Sequence, residues 1–273
     1  MRRLWLTAAM FPLLVSSPCV ALAQSDAPPG PETASEPPRP EGKASADGRR
    51  TNGRFLSNLG RNTVGLFSRD NLAPFLIGAG ATGASAFFDD DCQRYFGPER
   101  RAKWLGDGAD LLGRPYVLTP IAGALYGLGR LSHDHPRFRN GTYDIAQVFL
   151  INAVYTTAIK YASHRLRPDG SNHLSFPSGH TSNAFAWATV ANHYYGPKFG
   201  VPAYLLASLI GVGRMERNAH WLSDVVGGAT MGYLVGRTVV HKDSDLLPEA
   251  HAHELRILPA PGATLGVLVS FDW

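Results

Sequence analysis

From Arg54 onward the chain is built of apolar stretches of helical length separated by short polar gaps. Phe55, Leu56, Leu59, Val64, Leu66 and Phe67 recur at helical spacing, which predicts an amphipathic helix over 55–67, weakened by Gly60 and Gly65. Such a helix either packs on a core or lies on a membrane surface, and core packing is the expectation. Six further apolar segments follow, at 72–88, 116–131, 143–162, 181–195, 201–212 and 221–240. None alternates with a period of two and all are long for strands, so each predicts a helix. Gly97-Pro98, Arg114-Pro115, Gly196-Pro197 and Gly200-Val201-Pro202 mark most of the gaps. The tail has another texture: 255–258 and 264–271 flank Pro259-Ala260-Pro261-Gly262, the pattern of a hairpin. The expected fold is all-α, a bundle of about six helices with a disordered N-terminal tether and a small C-terminal β-hairpin.

The first residues change the picture of location. Arg2 and Arg3 precede an apolar stretch over 4–20, and Ala21-Leu22-Ala23 offers a small-x-small cleavage site before Gln24. The stretch is short for a span and broken by Pro12 and Pro18, so a cleaved export signal is expected. From Gln24 to about Asn52 the chain is rich in Pro, Ala, Ser, Glu and Gly and nearly empty of large apolar residues, which predicts a disordered linker. The expected organisation is a signal at 1–23, a linker at 24–53, a helical domain at 54–245 and a tail at 246–273. Of the two cysteines, Cys19 falls in the signal, which leaves Cys92 alone and excludes an internal disulfide in the mature chain. The net charge of +4 on 273 residues is mild. It suits an anionic substrate or membrane surface, and nucleic acid is not an expected partner.

Three polar clusters interrupt the apolar pattern. Lys160 precedes Arg167-Pro168 by seven residues, nearly two helical turns, so the two cations share a face if the helix continues that far. Ser175-Phe176-Pro177-Ser178-Gly179-His180-Thr181 stands directly before an apolar helix. Gly179 permits close approach of the backbone to a ligand, free N–H groups at a helix start attract anions, and His180 falls at the edge of that pocket. In the third cluster Arg214 precedes His220, which stands four residues before Asp224. A carboxylate at that spacing can hold one imidazole nitrogen and leave the other free as a nucleophile. Singly these read as surface charges, a helix cap and a structural hydrogen-bonded pair; together and in this order they are hard to obtain by chance. Asp89-Asp90-Asp91, Asp107 with Asp110, and His133-Asp134-His135 match no familiar metal spacing and are expected to be solvated loops.

Lys160…Arg167-Pro168, Pro177-Ser178-Gly179-His180 and Arg214…His220…Asp224 together resemble the signature of the superfamily of type 2 phosphatidic acid phosphatases, bacterial acid phosphatases and vanadium haloperoxidases, over about 143–240. One position departs from it: Gly213 stands where the third motif usually has a serine that helps bind phosphate. The resemblance implies a phosphatase, with phosphate oxygens among Lys160, Arg167, Arg214 and the backbone N–H groups of Ser178 and Gly179. It further implies His220 as nucleophile, Asp224 as its orienting partner and His180 as general acid and base. No metal or other cofactor is implied, since Lys and Arg supply the charge. The expected substrate is a phosphomonoester or diphosphate, possibly of a lipid; the alternatives are a vanadate-dependent haloperoxidase and a catalytically idle anion-binding envelope protein.

Relatives divide between six-helix membrane proteins and soluble exported enzymes. If the signal exports the linker and every later helix spans, the catalytic loop after Ala162 faces the cytoplasm, whereas relatives place it outside. Several segments also fall short of the roughly 20 apolar residues a span needs. Against this, Arg94, Arg100, Arg101 and Lys103 crowd one loop, as on a cytoplasmic side. The expectation is a periplasm-facing bundle, soluble or resting on a membrane, with an integral six-helix protein as the alternative.

Overall fold

The computed structural model describes residues 50–96 and 103–242, and the backbone of 256–259 and 267–270. The signal over 1–23, the linker up to residue 49 and most of the tail lie outside the described residues. Nine α-helices are found among the described residues: α1 (Phe55–Gly65), α2 (Leu72–Ala86), α3 (Asp89–Phe96), α4 (Lys103–Gly113), α5 (Pro115–Leu131), α6 (Pro136–Ser163), α7 (Gly179–Tyr195), α8 (Pro197–Glu216) and α9 (Leu222–Lys242). In the tail, β1 (Arg256–Pro259) and β2 (Val267–Ser270) pair antiparallel. The all-α expectation holds. The seven apolar segments appear as α1, α2 and α5–α9; α3 and α4 are additional.

Helix α7 is central and packs against α6, α8 and α9. Val148 and Ile151 of α6, Ala186, Val190 and Tyr194 of α7, and Val235, Val239 and Val240 of α9 form the buried apolar core. Helices α7 and α9 run in the same direction and touch backbone to backbone. A Cβ on Gly232 would stand 3.0 Å from the Ala186 nitrogen, and one on Gly236 would stand 3.0 Å from the Ala186 carbonyl oxygen, so side chains at this four-residue step would force the helices apart. Because the two helices start at the same end, the N-terminal turns of α7 and α9 and the C-terminal turns of α6 and α8 converge.

The first helix meets the expectation of core packing in part: Leu59, and Leu66 just past its end, pack against the core, but its fully buried side chains are polar and two of its apolar ones face outward. Asn58 and Asn62 are buried, whereas Leu56 is 77% and Val64 72% exposed. Asn58 donates to the Tyr143 hydroxyl at 2.9 Å, which offsets the burial of its amide. Further apolar side chains face outward on α2, α6 and α8, among them Ile77, Val154 and Leu205. Among the described residues no single helix is long and apolar enough to cross a membrane; residues Arg69–Ala86 with Asp89–Phe96, bent by 61°, meet that test as a pair.

The chain joins the bundle before α1. Arg50, at the end of the expected linker, is buried and donates to Asp144 through Nε at 2.9 Å and Nη2 at 3.0 Å. The Tyr194 hydroxyl donates to the same carboxylate at 2.7 Å.

Candidate active site

Each element contributes to the converging end for a local reason. Helix α6 stops at Ser163 because His164 turns left-handed, with φ 44°. It does not continue to Arg167, so a shared helical face is not what unites Lys160 with Arg167. A loop does so instead: the Arg167 N–H donates to the Asn172 carbonyl and the Gly170 N–H to the Arg167 carbonyl, both at 3.0 Å. Lys160 donates through Nζ to the Leu174 carbonyl at 2.6 Å. Burial, with Arg167 and Arg214 nearby, pushes its ammonium down to about 8.

Ser178 is the N-cap of α7, its Oγ accepting from the Thr181 N–H at 3.5 Å. The Ser178 N–H donates to the Asp224 carbonyl at 2.9 Å. It is therefore spent on tying α7 to α9, which corrects the expectation that this N–H holds phosphate. The N–H groups of Gly179 and His180, at the first two helical positions, have no acceptor within the helix.

His220 lies in the bend before α9, and Asp224 is the third residue of that helix. Asp224 Oδ2 accepts from the Trp221 N–H at 2.9 Å, so its side chain reaches back over the helix start as in a capping box. That return brings Oδ2 to 3.7 Å from His220 Nδ1, an electrostatic pair rather than a hydrogen bond in this state. Both residues are buried. Burial, reinforced by Lys160 and Arg214, pushes His220 down to about 4 despite Asp224. Burial would raise Asp224, but His220, Ser175, the Trp221 N–H and Arg165 hold it below the usual carboxylate range.

Arg214 stands in the last turn of α8, beyond the buried Gly213 of the altered motif. Its Nη1 donates to Asp110, a residue of α4 that also accepts from Arg114. These partners overcome burial and hold Asp110 down at about 2. His180 Nε2 lies 3.2 Å from the Asp110 backbone carbonyl. Burial first, then Arg214 and His220, push His180 down to about 3.

The structure therefore brings Lys160, Arg167, Gly179, His180, Arg214, His220 and Asp224 to one end of the bundle, with Ser178 as the joint between α7 and α9. Arg167 Nε and Arg214 Nε are buried there without a hydrogen-bond partner. Two neutral imidazoles and cationic donors turned inward form a binding environment for a small anion.

Asp89 and Asp110 are not in solvated loops, as their clustered sequence suggested; both are buried on helices and paired with arginines. Asp107 is exposed and pairs with Arg217 at 2.8 Å. Arg165, Asp89, Asp110 and Ser175 escaped attention as site residues. Arg165 and Ser175 lie within or beside the quoted motifs; nothing local marks Asp89 or Asp110.

Beside the site runs a cleft of about 960 Å³ between α2, α6, α9 and the connection from α1 to α2, lined by Phe67, Phe75, Tyr155, Ile159, Phe176 and Met231 among others. Its lining adjoins this cluster at two points: Ile159 precedes Lys160, and Phe176-Pro177 precede Ser178.

The all-α bundle thus gathers two histidines and three cationic side chains where its helix ends meet. Residues 144–246 match the model of the PAP2 superfamily. An 80-residue stretch is 50% identical to the lipid A 1-phosphatase of Porphyromonas gingivalis and covers 28% of this chain; the chain spans only 18% of that protein's length. Over 156 residues the chain is 28% identical to phosphatidylglycerophosphatase B of Bacillus subtilis, covering 50% of this chain and 73% of that protein. The solved transmembrane PAP2 type phosphatidylglycerolphosphate phosphatase from Bacillus subtilis shares the fold, with a TM-score of 0.53 and 22% identity over 69% of this chain and 99% of that one.

Proposed function

We propose that the protein is a metal-independent phosphatase that hydrolyses a lipid phosphomonoester or diphosphate through a phosphohistidine on His220. The observation that carries this reading is the pair of buried guanidinium Nε donors on Arg167 and Arg214 beside a buried, neutral His220. With Nδ1 turned to Asp224, the Nε2 lone pair is the nucleophile. Nε2 attacks phosphorus as the bond to the leaving oxygen breaks. Lys160, Arg167, Arg214 and the Gly179 N–H stabilise the charge on the equatorial oxygens. Asp224 compensates the positive charge that develops on His220, and the 3.7 Å separation shortens as it does.

His180 gives a proton to the leaving oxygen. Burial first, and then Arg214, keep it neutral; a phosphate dianion beside it opposes both and raises its proton affinity. It then takes a proton from water, the hydroxyl attacks phosphorus, the N–P bond breaks and inorganic phosphate departs. Gly213 supplies no hydroxyl here, so the phosphate has one donor fewer than the usual motif offers.

The apolar cleft next to Lys160 and Ser178 favours a substrate whose phosphate is joined to a hydrocarbon chain. The names of the relatives, a lipid A 1-phosphatase and a phosphatidylglycerophosphatase, agree in chemistry. The outward apolar side chains of α1, α2, α6 and α8 suit contact with a membrane, with the site facing the periplasm or exterior. An alkaline wash and thiol labelling of Cys92 from outside the inner membrane test that location; labelling from the cytoplasm alone contradicts it.

The functional test is phosphate release from a panel of lipid and soluble phosphates by the wild type and His220→Ala. Release by the wild type, abolished in the variant, is expected. Near-wild-type release by His220→Ala on any substrate refutes the assignment.

A further inference from the structure

Asp224 is held by more than the histidine it faces. Its Oδ1 accepts from Arg165 Nη1 at 2.7 Å, and its Oδ2 accepts from Ser175 Oγ and from the Trp221 N–H. Arg165 is held in turn. Its Nη2 donates to Asp89 Oδ2 at 2.6 Å, its Nη1 also reaches Ser223 Oγ at 2.7 Å, and its guanidinium carbon lies over the Trp221 ring, 5.6 Å from the centroid. Asp89 opens α3 and is buried. Its Oδ1 accepts from the Ser223 N–H at 2.8 Å and its Oδ2 from Ser223 Oγ at 2.7 Å. The Ser223 N–H is one of the first-turn donors of α9 that no intrahelical carbonyl can satisfy, so Asp89 caps α9 from another helix. Both oxygens of Asp89 are thus engaged on Ser223, next to Asp224, and Arg165 bridges Asp89 through Nη2 to Ser223 and Asp224 through Nη1.

We infer that Asp89 and Arg165 are positioning residues for the nucleophile: acting through Ser223 and Asp224, they fix the carboxylate that faces His220. This rests on His220 being the nucleophile. The hydrogen bonds of Asp89 and Arg165 go to the orienting side of the site and leave the phosphate-holding cations alone. Orientation of the nucleophile and affinity for the anion are therefore separable properties of this site. An Arg–carboxylate pair of this reach also cannot be reproduced by lysine, whose single ammonium cannot span Asp89, Ser223 and Asp224 together.

The charges give the inference a signature. Asp89 offsets the positive charge of Arg165 next to Asp224. Asp89→Asn leaves that charge unshared, weakens the field of Asp224 on His220 and lowers the basicity of the imidazole. Arg165→Gln removes the positive charge and raises it. Lys160 from α6, His180 from α7, Arg214 from α8 and Arg167 from the loop also surround the pair and are unchanged in both variants.

The experiment is steady-state hydrolysis of p-nitrophenyl phosphate by the full chain across pH, with vanadate inhibition measured in parallel. In both variants kcat falls by about tenfold to a hundredfold, as for loss of a residue that orients a catalytic group. The vanadate inhibition constant stays within about twofold of wild type. The acid limb of kcat/KM moves down in Asp89→Asn and up in Arg165→Gln, each by roughly half a pH unit to one unit. Unchanged kcat, a limb that moves the same way in both variants, or an inhibition constant that rises in step with the loss of kcat overturns the inference; the last means that the bundle end is displaced as a whole. The His220 tautomer, read by nitrogen-15 NMR, needs no turnover. Wild-type protein inactive on every phosphate sinks the phosphatase reading, while loss of the Nδ1–H tautomer in Asp89→Asn still supports positioning and an unchanged tautomer refutes it.

Discussion

Two of the three glycines of α4, Gly113 and Gly108, respond in opposite ways to one added methyl group. A Cβ on Gly113 would overlap the imidazole ring of His180 and stand 2.8 Å from the His180 Cβ. Rotating the ring away relieves the first overlap but not the second, because Cβ is fixed by the α7 backbone. Restoring ordinary contact, which begins at 3.4 Å, requires α4 and α7 to separate by about 0.6 Å at this point. Either response takes His180 off the Asp110 carbonyl, now 3.2 Å from Nε2. Gly113→Ala is therefore expected to cost about 1–3 kcal/mol of stability, as overpacking does. It is expected to lower kcat by up to about a hundredfold, the order that a displacement approaching 1 Å produces. Gly108 lies on the same helix with nothing within 4 Å of its would-be Cβ. Gly108→Ala should be neutral or stabilising by about 0.5–1 kcal/mol. The assay is thermal unfolding together with kcat on p-nitrophenyl phosphate and on an alkyl phosphate, whose poorer leaving group depends more on protonation by His180. The Gly113→Ala loss should be larger on the alkyl ester. Equal stability and equal kcat for the two variants would refute both the packing argument and the acid role.

Arg50 and Asp144 form an ion pair with no side-chain exposure on either side, and Arg50→Ala leaves a buried carboxylate that retains the Tyr194 hydroxyl. Chemical denaturation should show a loss of about 3–5 kcal/mol with little change in kcat of the folded fraction. His220 and His180 fall from an ordinary 6.5 to about 4 and about 3 on folding, so the unfolded chain binds more protons between these values. Their contribution to stability is complete above 6.5 and is lost as pH falls through the folded values; Tm measured from pH 7.5 to 4.5 should decline across that interval. Asp110, held at about 2, adds nothing to this decline, because its contribution is lost only below its ordinary 3.8. Vanadate should inhibit phosphate release by mimicking the trigonal-bipyramidal state, and activity should persist in EDTA; loss in EDTA reversed by a divalent ion contradicts the mechanism.

The site was legible where its chemistry is local in sequence. Lys160 with Arg167, Ser178-Gly179-His180, and Arg214 with His220 and Asp224 each occupy a short run, and helix ends concentrate such residues because unpaired N–H and C=O groups are there to be used. The supports were not legible, because their partners are remote. Asp89 meets Arg165 across 76 residues and Asp110 meets Arg214 across 104. A run such as Asp89-Asp90-Asp91 carries no sign of which carboxylate a distant guanidinium will bury. The same limit explains α1. Its apolar residues sit at helical spacing, and spacing alone directs them all to a core; Leu59 and Leu66 do pack there, but Tyr143, which accepts from Asn58, and Thr63, whose carbonyl accepts from Tyr155, also tie the helix down by polar contacts. Periodicity reveals that a helix has two faces, whereas the identity of the inward face depends on what the rest of the fold presents to it. In this bundle the inward partners of α1 include polar groups of α6, so asparagine is buried beside Leu59 while Leu56 and Val64 are left to the outside. The exposed Leu56 and Val64 belong with the apolar cleft beside Lys160, since both present hydrocarbon at the protein surface.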